Sequence, residues 1–333
     1  MARFGKGNSI LLALLGVVIL QFIGLGALLL ERDAPAEEPA PPPSEEETPD
    51  DTVMPAWLDT SSRPREEKEP PEGALSTEDI LGTSRLISHG LGAVDGESTL
   101  NCLEGFLAQY AQGVRVFEVD LRLTSDMQVV LRHDWRGGWQ EGVDETAIPT
   151  LDAFLAAPLL GRYTPLSFRD LLQLMEDYPD ICVITDTKFT DPEIVSLQFQ
   201  AMVADAKDLG LSYLFDRMAI QVYSQLMFRV VDSVHHFPCY IYTLYAEGFG
   251  RTEDAFRKLA VFCADSGISG ITMWDHWWQP AYAAIAADRG LQVYAHTVND
   301  QARAAELFEQ GIAAVYTDAL TPAQLPGNGK KGA

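Results

Sequence analysis

Two short stretches of the chain carry pairs of charged residues with the same spacing. Glu118 and Asp120 lie in VFEVDL, and Asp186 and Lys188 lie in ITDTK. Side chains alternate across a β-strand, so each pair would project from one face of its segment. Clustered carboxylates repel one another when no positive charge lies between them. With a hard cation between them, the same oxygens act as its ligands. The spacing therefore predicts a site for one divalent cation, Mg²⁺ or Ca²⁺.

Two histidines follow apolar segments in the same part of the chain. His89 comes directly after RLIS, and His133 ends QVVLRH. An imidazole with an ordinary pKa of about 6.5 can accept or release a proton at neutral pH, as acid–base catalysis requires. Taken alone, either residue fits a structural histidine equally well, and the acidic pairs fit a solvated strand face or a surface ion pair.

The segments that must position these residues form a regular series. Eight β-rich segments alternate mainly with helical patterns such as SFRDLLQLMEDYP and TEDAFRKLAVFCADSG. The predicted strands are Arg85–Ser88, Val114–Leu121, Ile181–Lys188, Met218–Ser224, Cys239–Leu244, Ile268–Met273, Leu291–Val298 and Ala313–Asp318. Strict alternation predicts parallel pairing through crossover helices, and eight units predict a closed α/β fold, the (β/α)8 or TIM barrel.

An open doubly wound sheet is the main alternative to the barrel. That fold would carry a glycine-rich phosphate loop after its first strand, and none is present here. QVVLRH is predicted to be a hairpin strand added after the second barrel strand. In a barrel, active sites gather at the carboxyl ends of the strands. All six charged residues and histidines named above end or follow such strands, so we expect them to share one site.

The N-terminal part of the chain has a different character. Residues 9–30 contain no charged side chain, and 22 residues at ~1.5 Å per residue can cross a hydrocarbon layer of ~30 Å. Basic residues precede this segment and acidic residues follow it. We therefore predict a cytoplasmic N-terminus (1–8), an uncleaved transmembrane anchor (9–30) and an extracytoplasmic remainder, which makes a single-pass membrane protein.

An acidic, proline-rich stretch, residues 31–75, separates the anchor from the predicted barrel domain, residues 80–325. It offers few apolar groups for burial, and its like charges repel, so we predict a disordered linker. The formal net charge of the whole chain is -24, which argues against nucleic acid as a partner because phosphate binding needs clustered basic residues. The sequence leaves the oligomeric state open.

The four cysteines show no spacing typical of a metal site. Cys182 and Cys239 lie within apolar strand-like runs, and we predict that both are small buried residues. An exported domain could also hold a disulfide bond, and the sequence does not decide this for Cys102 and Cys263.

The sequence around these residues resembles the glycerophosphodiester phosphodiesterase family, a barrel branch of the phospholipase C-like phosphodiesterases. The stretch from SHG through ESTLN and VFEVDLRLTSDMQVVLRHDW is similar to the family's HRG, ENT, ExD, TDG and HD blocks. ITDTK stands in place of the family's ExK, and VYAHTVND with FEQGIAAVYTD resembles its closing pattern. The resemblance spans about Arg85 to Leu320. It is greatest to a bacterial subgroup described jointly with phosphatidylinositol-specific phospholipase C.

The resemblance implies a metal-dependent phosphoric diester hydrolase whose substrate is a small-molecule or lipid phosphodiester. It implies that His89 and His133 are the acid–base pair and that Lys188 contacts the phosphate. Glu118, Asp120 and Asp186 would be the ligands of the divalent cation. The same residues were placed together by the strand pattern alone.

Three positions depart from the family pattern. The family's arginine after the first histidine is Gly90 here, its glutamate in ExK is Asp186, and the aromatic residue before TVN is His296. Asp186 is a feature shared with the related sphingomyelinase D group. We predict that His296 and Trp274 contact the substrate, and these departures leave the headgroup open.

Two other functions remain compatible with the sequence. One is a phospholipase C- or D-like enzyme that acts on inositol lipids or lysolipids. The other is a catalytically inactive barrel that serves as a membrane-anchored binding or scaffold protein. The glycine at position 90 argues for the inactive barrel, because it removes a guanidinium that would hold the phosphate. The presence of both histidines, the three acids and Lys188 argues against it.

Overall fold

The computed structural model describes residues 65–135, 147–245 and 248–325. The predicted anchor, residues 9–30, and the linker up to residue 64 lie outside these ranges. The described residues all belong to one compact unit, which begins at residue 55. Within the described ranges, no helix is both long enough and apolar enough to cross a bilayer.

Nine strands and nine α-helices make up the described domain. The strands are β1 (Leu86–Ser88), β2 (Val116–Leu123), β3 (Val129–Leu131), β4 (Cys182–Thr187), β5 (Met218–Val222), β6 (Cys239–Thr243), β7 (Gly270–Trp274), β8 (Gln292–His296) and β9 (Ala314–Thr317). The helices are α1 (Thr77–Leu81), α2 (Leu103–Ala111), α3 (Leu151–Ala156), α4 (Phe168–Asp177), α5 (Pro192–Leu209), α6 (Gln225–Val234), α7 (Glu253–Asp265), α8 (Ala281–Ala287) and α9 (Gln301–Glu309). Short 3₁₀ turns cover His89–Leu91, Ser212–Arg217, Asp275–Trp277 and Pro322–Gln324.

Eight of the strands pair in parallel and close into a barrel. The order is β1, β2, β4, β5, β6, β7, β8 and β9, and β1 pairs with both β2 and β9 to complete the ring. β3 is the exception, because it pairs antiparallel with β2 through Leu121 and Leu131. The predicted (β/α)8 barrel and its added hairpin strand are therefore confirmed.

Local sequence explains where the helices start and stop. Ser167 caps α4 in a box with Asp170, each side chain bonding to the backbone of the other residue. Asp191 caps α5, Pro192 occupies its first turn, and Gly210 ends it in a left-handed conformation. These caps fix the helices that hold β4 and β5 in place.

Apolar side chains close the barrel at the end where its strands begin. Ile80 and Leu81 of α1 pack on apolar side chains near the starts of the strands, among them Val116, Cys182 and Cys239. All four cysteines are buried and free, as predicted for Cys182 and Cys239. Because this end is plugged by side chains, access to the barrel interior is from the carboxyl ends of the strands.

The last residues of the predicted linker contact the barrel. The Lys68 backbone N–H donates to the Gly210 carbonyl at 2.9 Å, and Glu67 accepts a hydrogen bond from the Ser212 hydroxyl at 2.7 Å. Gly210 follows the C-terminus of α5. The chain therefore reaches the barrel at the end that α1 plugs, away from the carboxyl ends of the strands.

Candidate active site

Three carboxylates meet at the carboxyl ends of two neighbouring strands. Glu118 and Asp120 project from β2, Asp186 projects from β4, and the sheet register places Asp120 directly beside Asp186. One oxygen from each group lies within 4.8 Å of the other two. All three side chains are buried. The equal spacing seen in the sequence thus corresponds to one acidic cluster.

Lys188 supplies positive charge to this cluster. Its Nζ lies 2.6 Å from Asp120 Oδ1 and also contacts Asp186 Oδ2. Burial opposes the charged ammonium, but the charges of Asp186, Asp120 and Glu118 outweigh it and raise the pKa of Lys188. Lys188 therefore stays protonated, and its ammonium lies where it can also contact an anionic substrate.

Two tyrosines and an asparagine orient the aspartates. The hydroxyl of Tyr223 donates to Asp186 Oδ1, and that of Tyr245 donates to Asp186 Oδ2 at 2.9 Å. The Asn101 amide donates to Asp120 Oδ2 at 2.7 Å and accepts from the Asp120 backbone N–H at 2.9 Å. Such outer contacts hold carboxylates in position for a metal.

The cluster fits a divalent cation. Glu118 Oε1 is buried and has no hydrogen-bond partner among the described residues, whereas its Oε2 accepts from the Gly90 N–H at 2.7 Å. Burial and the neighbouring charge of Asp120 raise the pKa of Glu118 to about 8. A bound cation would satisfy the free oxygen and offset the repulsion, and the all-oxygen donor set is the one that Mg²⁺ and Ca²⁺ prefer. Glu118, Asp120 and Asp186 are the residues that would hold it.

His89 follows β1 and is oriented by an acid from the opposite end of the sequence. Its Nδ1 donates to Asp318 Oδ1 at 2.8 Å, and Asn299 donates to Asp318 Oδ2 at 2.7 Å. A carboxylate can only accept, so Nδ1 carries a proton and Nε2 remains for the substrate. Burial disfavours the charged ring, but the bond to Asp318 and the charges of Glu118 and Asp120 raise the pKa of His89 to about 9.

His133 lies two residues beyond β3 and is more exposed than His89. Its Nδ1 donates to Asp134 Oδ2 at 2.9 Å. Arg122 fixes the backbone at this point, because its Nε donates to the His133 carbonyl at 3.0 Å. Both histidines thus have Nδ1 held by a carboxylate and leave Nε2 for another partner.

His296 and Trp274 form an aromatic wall on the far side of the barrel from the acids. The two rings stack with centroids 4.7 Å apart and planes 14° apart. Tyr245 also packs against His296, with ring centroids 5.3 Å apart. Burial, reinforced by the positive charges of His89, Lys188 and His276, lowers the pKa of His296 to about 3, so the ring is neutral.

Gly90 has a structural reason to be glycine. It adopts a left-handed conformation, φ 55° and ψ 39°, and a Cβ at this position would come 2.6 Å from the Thr99 Cα. An arginine would not fit this backbone without movement of the Thr99 segment. The conformation of this loop therefore favours glycine at position 90.

A pocket of about 190 Å³ opens at the carboxyl ends of the strands and is called the rim pocket below. Seven of the eight predicted site residues line it: His89, Glu118, His133, Asp186, Lys188, Trp274 and His296. The eighth, Asp120, is buried beneath Lys188. A larger cavity of about 410 Å³ lies at the opposite end of the barrel, between α1 and the starts of β1 and β2, and it lacks this combination of histidines and clustered acids.

Sequence reasoning missed several residues that support the site. Sequence reasoning gave no role to Asp318, Asn299, Tyr223 and Tyr245, although each is polar and lies within one residue of the end of a predicted strand. That position was the only available signal. It did not show which of them would reach His89 or Asp186, because those contacts depend on which strands become neighbours in the barrel and in what register.

Comparison with known proteins gives a structural likeness and no sequence match. Neither a protein-family model nor a curated protein sequence matches the chain. A protein from Silicibacter pomeroyi assigned as a glycerophosphoryl diester phosphodiesterase is 20% identical with a TM-score of 0.59, covering 74% of this chain and 95% of its own. A glycerophosphodiester phosphodiesterase from Parabacteroides distasonis is 17% identical with a TM-score of 0.57, covering 70% of this chain and 92% of its own.

A third solved structure contains a ligand. A phosphodiesterase from Oleispira antarctica, in complex with the product sn-glycerol-3-phosphate, is 17% identical with a TM-score of 0.57. The alignment covers 71% of this chain and 93% of that protein. At these identities the comparison establishes the fold: the chain has the (β/α)8 barrel that these phosphodiesterases share.

Proposed function

We propose that the protein is a metal-dependent phosphoric diester hydrolase that acts on glycerophosphodiesters or related headgroup diesters. One observation carries the proposal: two histidines with Nε2 available, two carboxylates and a protonated lysine line one pocket at the carboxyl ends of the barrel strands, and the third carboxylate of the cluster lies beneath that lysine. The likeness to phosphodiesterases, one of them bound to sn-glycerol-3-phosphate, supports the same reaction.

The phosphate would be held between the acidic cluster and Lys188. A divalent cation bound by Glu118, Asp120 and Asp186 would stabilise negative charge on the phosphate oxygens. Lys188 would donate hydrogen bonds to a nonbridging oxygen, which becomes more negative in the transition state. Interactions that strengthen as charge develops lower the barrier, and the buried site makes them stronger than in water.

His89 and His133 would move the protons. His133 accepts the proton of a substrate hydroxyl next to the phosphodiester, and that oxygen forms a bond to phosphorus. The bond from phosphorus to the other alcohol breaks, and His89 Nε2 gives that alcohol its proton. Asp318 favours the protonated ring, which assigns the acid role to His89. In a second step water opens the cyclic product, with the two histidines in reversed roles.

The test is an assay of the purified full-length protein on a panel of glycerophosphodiesters and lysolipids, with the products identified. We expect hydrolysis with Mg²⁺ or Ca²⁺ and its loss in chelator. Glu118→Gln should weaken cation binding and abolish hydrolysis, and Asp254→Asn, which changes an exposed acid paired with Lys258, is the matched control. Full activity in chelator would contradict the proposal that hydrolysis requires a divalent cation. If the protein hydrolyses none of the diesters, a binding or scaffold role is favoured.

We also propose that residues 9–30 tether the enzyme to a membrane, with the catalytic domain outside the cytoplasm. The support is the uncharged 22-residue segment, the basic residues before it and the acidic residues after it. The described contacts of Glu67 and Lys68 bring the chain to the barrel at the end away from the rim pocket.

A further inference from the structure

A buried glutamine lines the rim pocket beside the acidic cluster. Gln221 of β5 is only 3% exposed, and that small exposure is towards the pocket. The register of β4 and β5 pairs Thr185 with Ile220, so the next residues along, Asp186 and Gln221, are also neighbours. Asp186 is in turn the neighbour of Asp120 on β2. Gln221 therefore extends the row of inward-facing polar side chains onto a third strand.

Two hydroxyl groups fix the direction of the Gln221 amide. Its Oε1 accepts a hydrogen bond from the Tyr316 hydroxyl at 2.9 Å and a longer one from the Thr243 hydroxyl at 3.3 Å. Tyr316 keeps its proton, because burial raises the pKa of its hydroxyl well above the usual value. An amide oxygen has two lone pairs, and both are used here. The oxygen is thus held by β9 and β6, and the amide nitrogen is the end left for the pocket.

The amide nitrogen of Gln221 lacks an acceptor. Nε2 carries two N–H donors, and both hydrogen bonds that the Gln221 side chain makes to described residues are made by Oε1. A buried polar group without a partner is unfavourable, because its bonds to water are lost and not replaced. In a ligand pocket, such a group indicates a hydrogen bond that the ligand completes.

The neighbouring strands indicate which part of a diester this amide meets. The proposed cation and Lys188 would hold the phosphate at the ends of β2 and β4, and β5 is the next strand of the ring. Nonbridging phosphate oxygens accept hydrogen bonds and do not donate them, which matches a group with two N–H donors. A neutral amide also adds no charge beside the three carboxylates, Lys188 and the cation. Gln221 is therefore suited to a phosphate oxygen.

We propose that Gln221 is a further catalytic residue, whose Nε2 donates to a nonbridging phosphate oxygen, and that Tyr316 is the positioning residue that aims it. This inference rests on the proposed phosphodiesterase function and adds a residue to its site. Negative charge on that oxygen grows in the transition state, so the hydrogen bond strengthens as the reaction proceeds. Tyr316 and Thr243 hold the amide in place before the substrate arrives, so little reorganisation opposes the gain.

Gln221→Met keeps the length of the side chain and removes both donors. We expect it to lower kcat on glyceryl 4-nitrophenyl phosphate by a factor on the order of 10², with a smaller change in KM. The matched control is Gln198→Met. Gln198 is an equally buried glutamine on α5, its Oε1 accepts from the Thr187 hydroxyl, and it lies outside the rim pocket. Melting curves should show a loss of stability in both variants, but the control should keep the parent kcat.

The phosphorothioate analogue of the same diester tests the contact itself. Sulfur replaces one nonbridging oxygen and accepts hydrogen bonds poorly, and the two diastereomers at phosphorus carry it at different positions. On the diastereomer whose sulfur faces Gln221, the parent has already lost this bond, so Gln221→Met should lower kcat little further. On the other diastereomer the full loss should remain. Equal losses on the two diastereomers, or an unchanged kcat in Gln221→Met, would overturn the contact and leave the phosphodiesterase function in place.

Tyr316→Phe tests the positioning role. It removes the hydroxyl that holds the amide, and we expect kcat to fall by about 10-fold. In the Gln221→Met background the same change should have no further effect on kcat, because the amide that Tyr316 positions is already gone. Losses that add fully in the double variant would overturn the positioning role of Tyr316.

Calorimetric binding of inorganic phosphate to the full-length protein, in Mg²⁺, tests the donor without turnover. We expect Gln221→Met to weaken this binding roughly 10-fold and Gln198→Met to leave it unchanged. That result supports the inference even if the parent hydrolyses none of the diesters. In a parent without hydrolysis, equal phosphate binding by the parent and Gln221→Met overturns it.

Discussion

Each of the two histidines in the rim pocket is oriented by one carboxylate, and the two carboxylates have different origins. Asp134 is the next residue after His133, so this pairing is local in sequence. Asp318 is 229 positions from His89 and is itself fixed by Asn299. The pairing with Asp318 therefore depends on closure of the barrel, and His89 is the better buried of the two histidines.

Replacement of either histidine should remove catalysis and spare the fold. We expect His89→Ala and His133→Ala each to lower kcat by a factor on the order of 10² to 10⁴, because each would remove one proton-transfer step. His236→Ala changes an exposed ring outside the pocket and should have little effect. Steady-state rates with melting curves for the three variants make the comparison. Equal small losses in all three would argue for a scaffold role.

The pKa of His89 predicts how stability depends on pH. Burial lowers this pKa, but the bond to Asp318 and the charges of Glu118 and Asp120 outweigh burial and raise it from 6.5 to about 9. The folded state then binds the proton more tightly than the unfolded state. The stabilisation is complete below pH 6.5 and is lost as pH rises through about 9.

Asp318→Asn removes the largest of the causes that raise this pKa. Between pH 6.5 and 9, the free energy of unfolding of the parent should fall more steeply than that of the variant. Urea denaturation at several pH values, in chelator so that no bound cation alters the charge, measures the difference. Parallel curves for the two proteins would show that Asp318 does not set the pKa of His89.

At the scale of strands and helices, much of the architecture could be predicted because the sequence pattern is local. The segment Ile181–Lys188 was predicted as a strand, and β4 covers Cys182–Thr187. The alternation of side chains was enough to place Glu118 and Asp120 on one face. The pairing of Asp120 with Asp186 then follows from neighbouring parallel strands.

The loop after β1 could not be predicted in the same way. The sequence shows only that Gly90 replaces an arginine, whereas the structure shows a left-handed turn whose N–H binds Glu118. The same limit applies to Tyr223 and Tyr245, which end different strands and converge on Asp186. Contacts between distant segments depend on strand register and ring closure, which single segments do not encode.

The Gly90 turn gives a prediction at this scale. Gly90→Ala should destabilise the fold both through its positive φ and through a Cβ placed 2.6 Å from the Thr99 backbone. Gly73→Ala is the matched control, because Gly73 also has a positive φ, 74°, but open space around the added Cβ. We expect the control to cost about 1 kcal/mol and Gly90→Ala at least ~2 kcal/mol more. Equal losses in chemical denaturation would show that the loop accommodates a side chain.

For the whole molecule, the two ends of the barrel hold different groups of residues. α1 and the contacts of Glu67 and Lys68 occupy the region where the strands begin, and the acids and histidines occupy the region where they end. The position of the acids and histidines could be predicted from the sequence, because active sites of such barrels lie at the carboxyl ends of the strands. The sequence did not predict that residues 65–75 would follow the surface of the domain, because their composition alone is that of an unfolded spacer.

The predicted membrane topology is tested on the whole chain. With basic residues before the uncharged segment and acidic residues after it, the C-terminus should lie outside the cytoplasm. A protease added to intact cells should therefore remove a C-terminal tag. A matched tag at the N-terminus should survive until the cells are lysed, because residues 1–8 are predicted to stay inside. The opposite pattern would place the catalytic domain in the cytoplasm, and release of the whole protein without detergent would remove the anchor from the proposal.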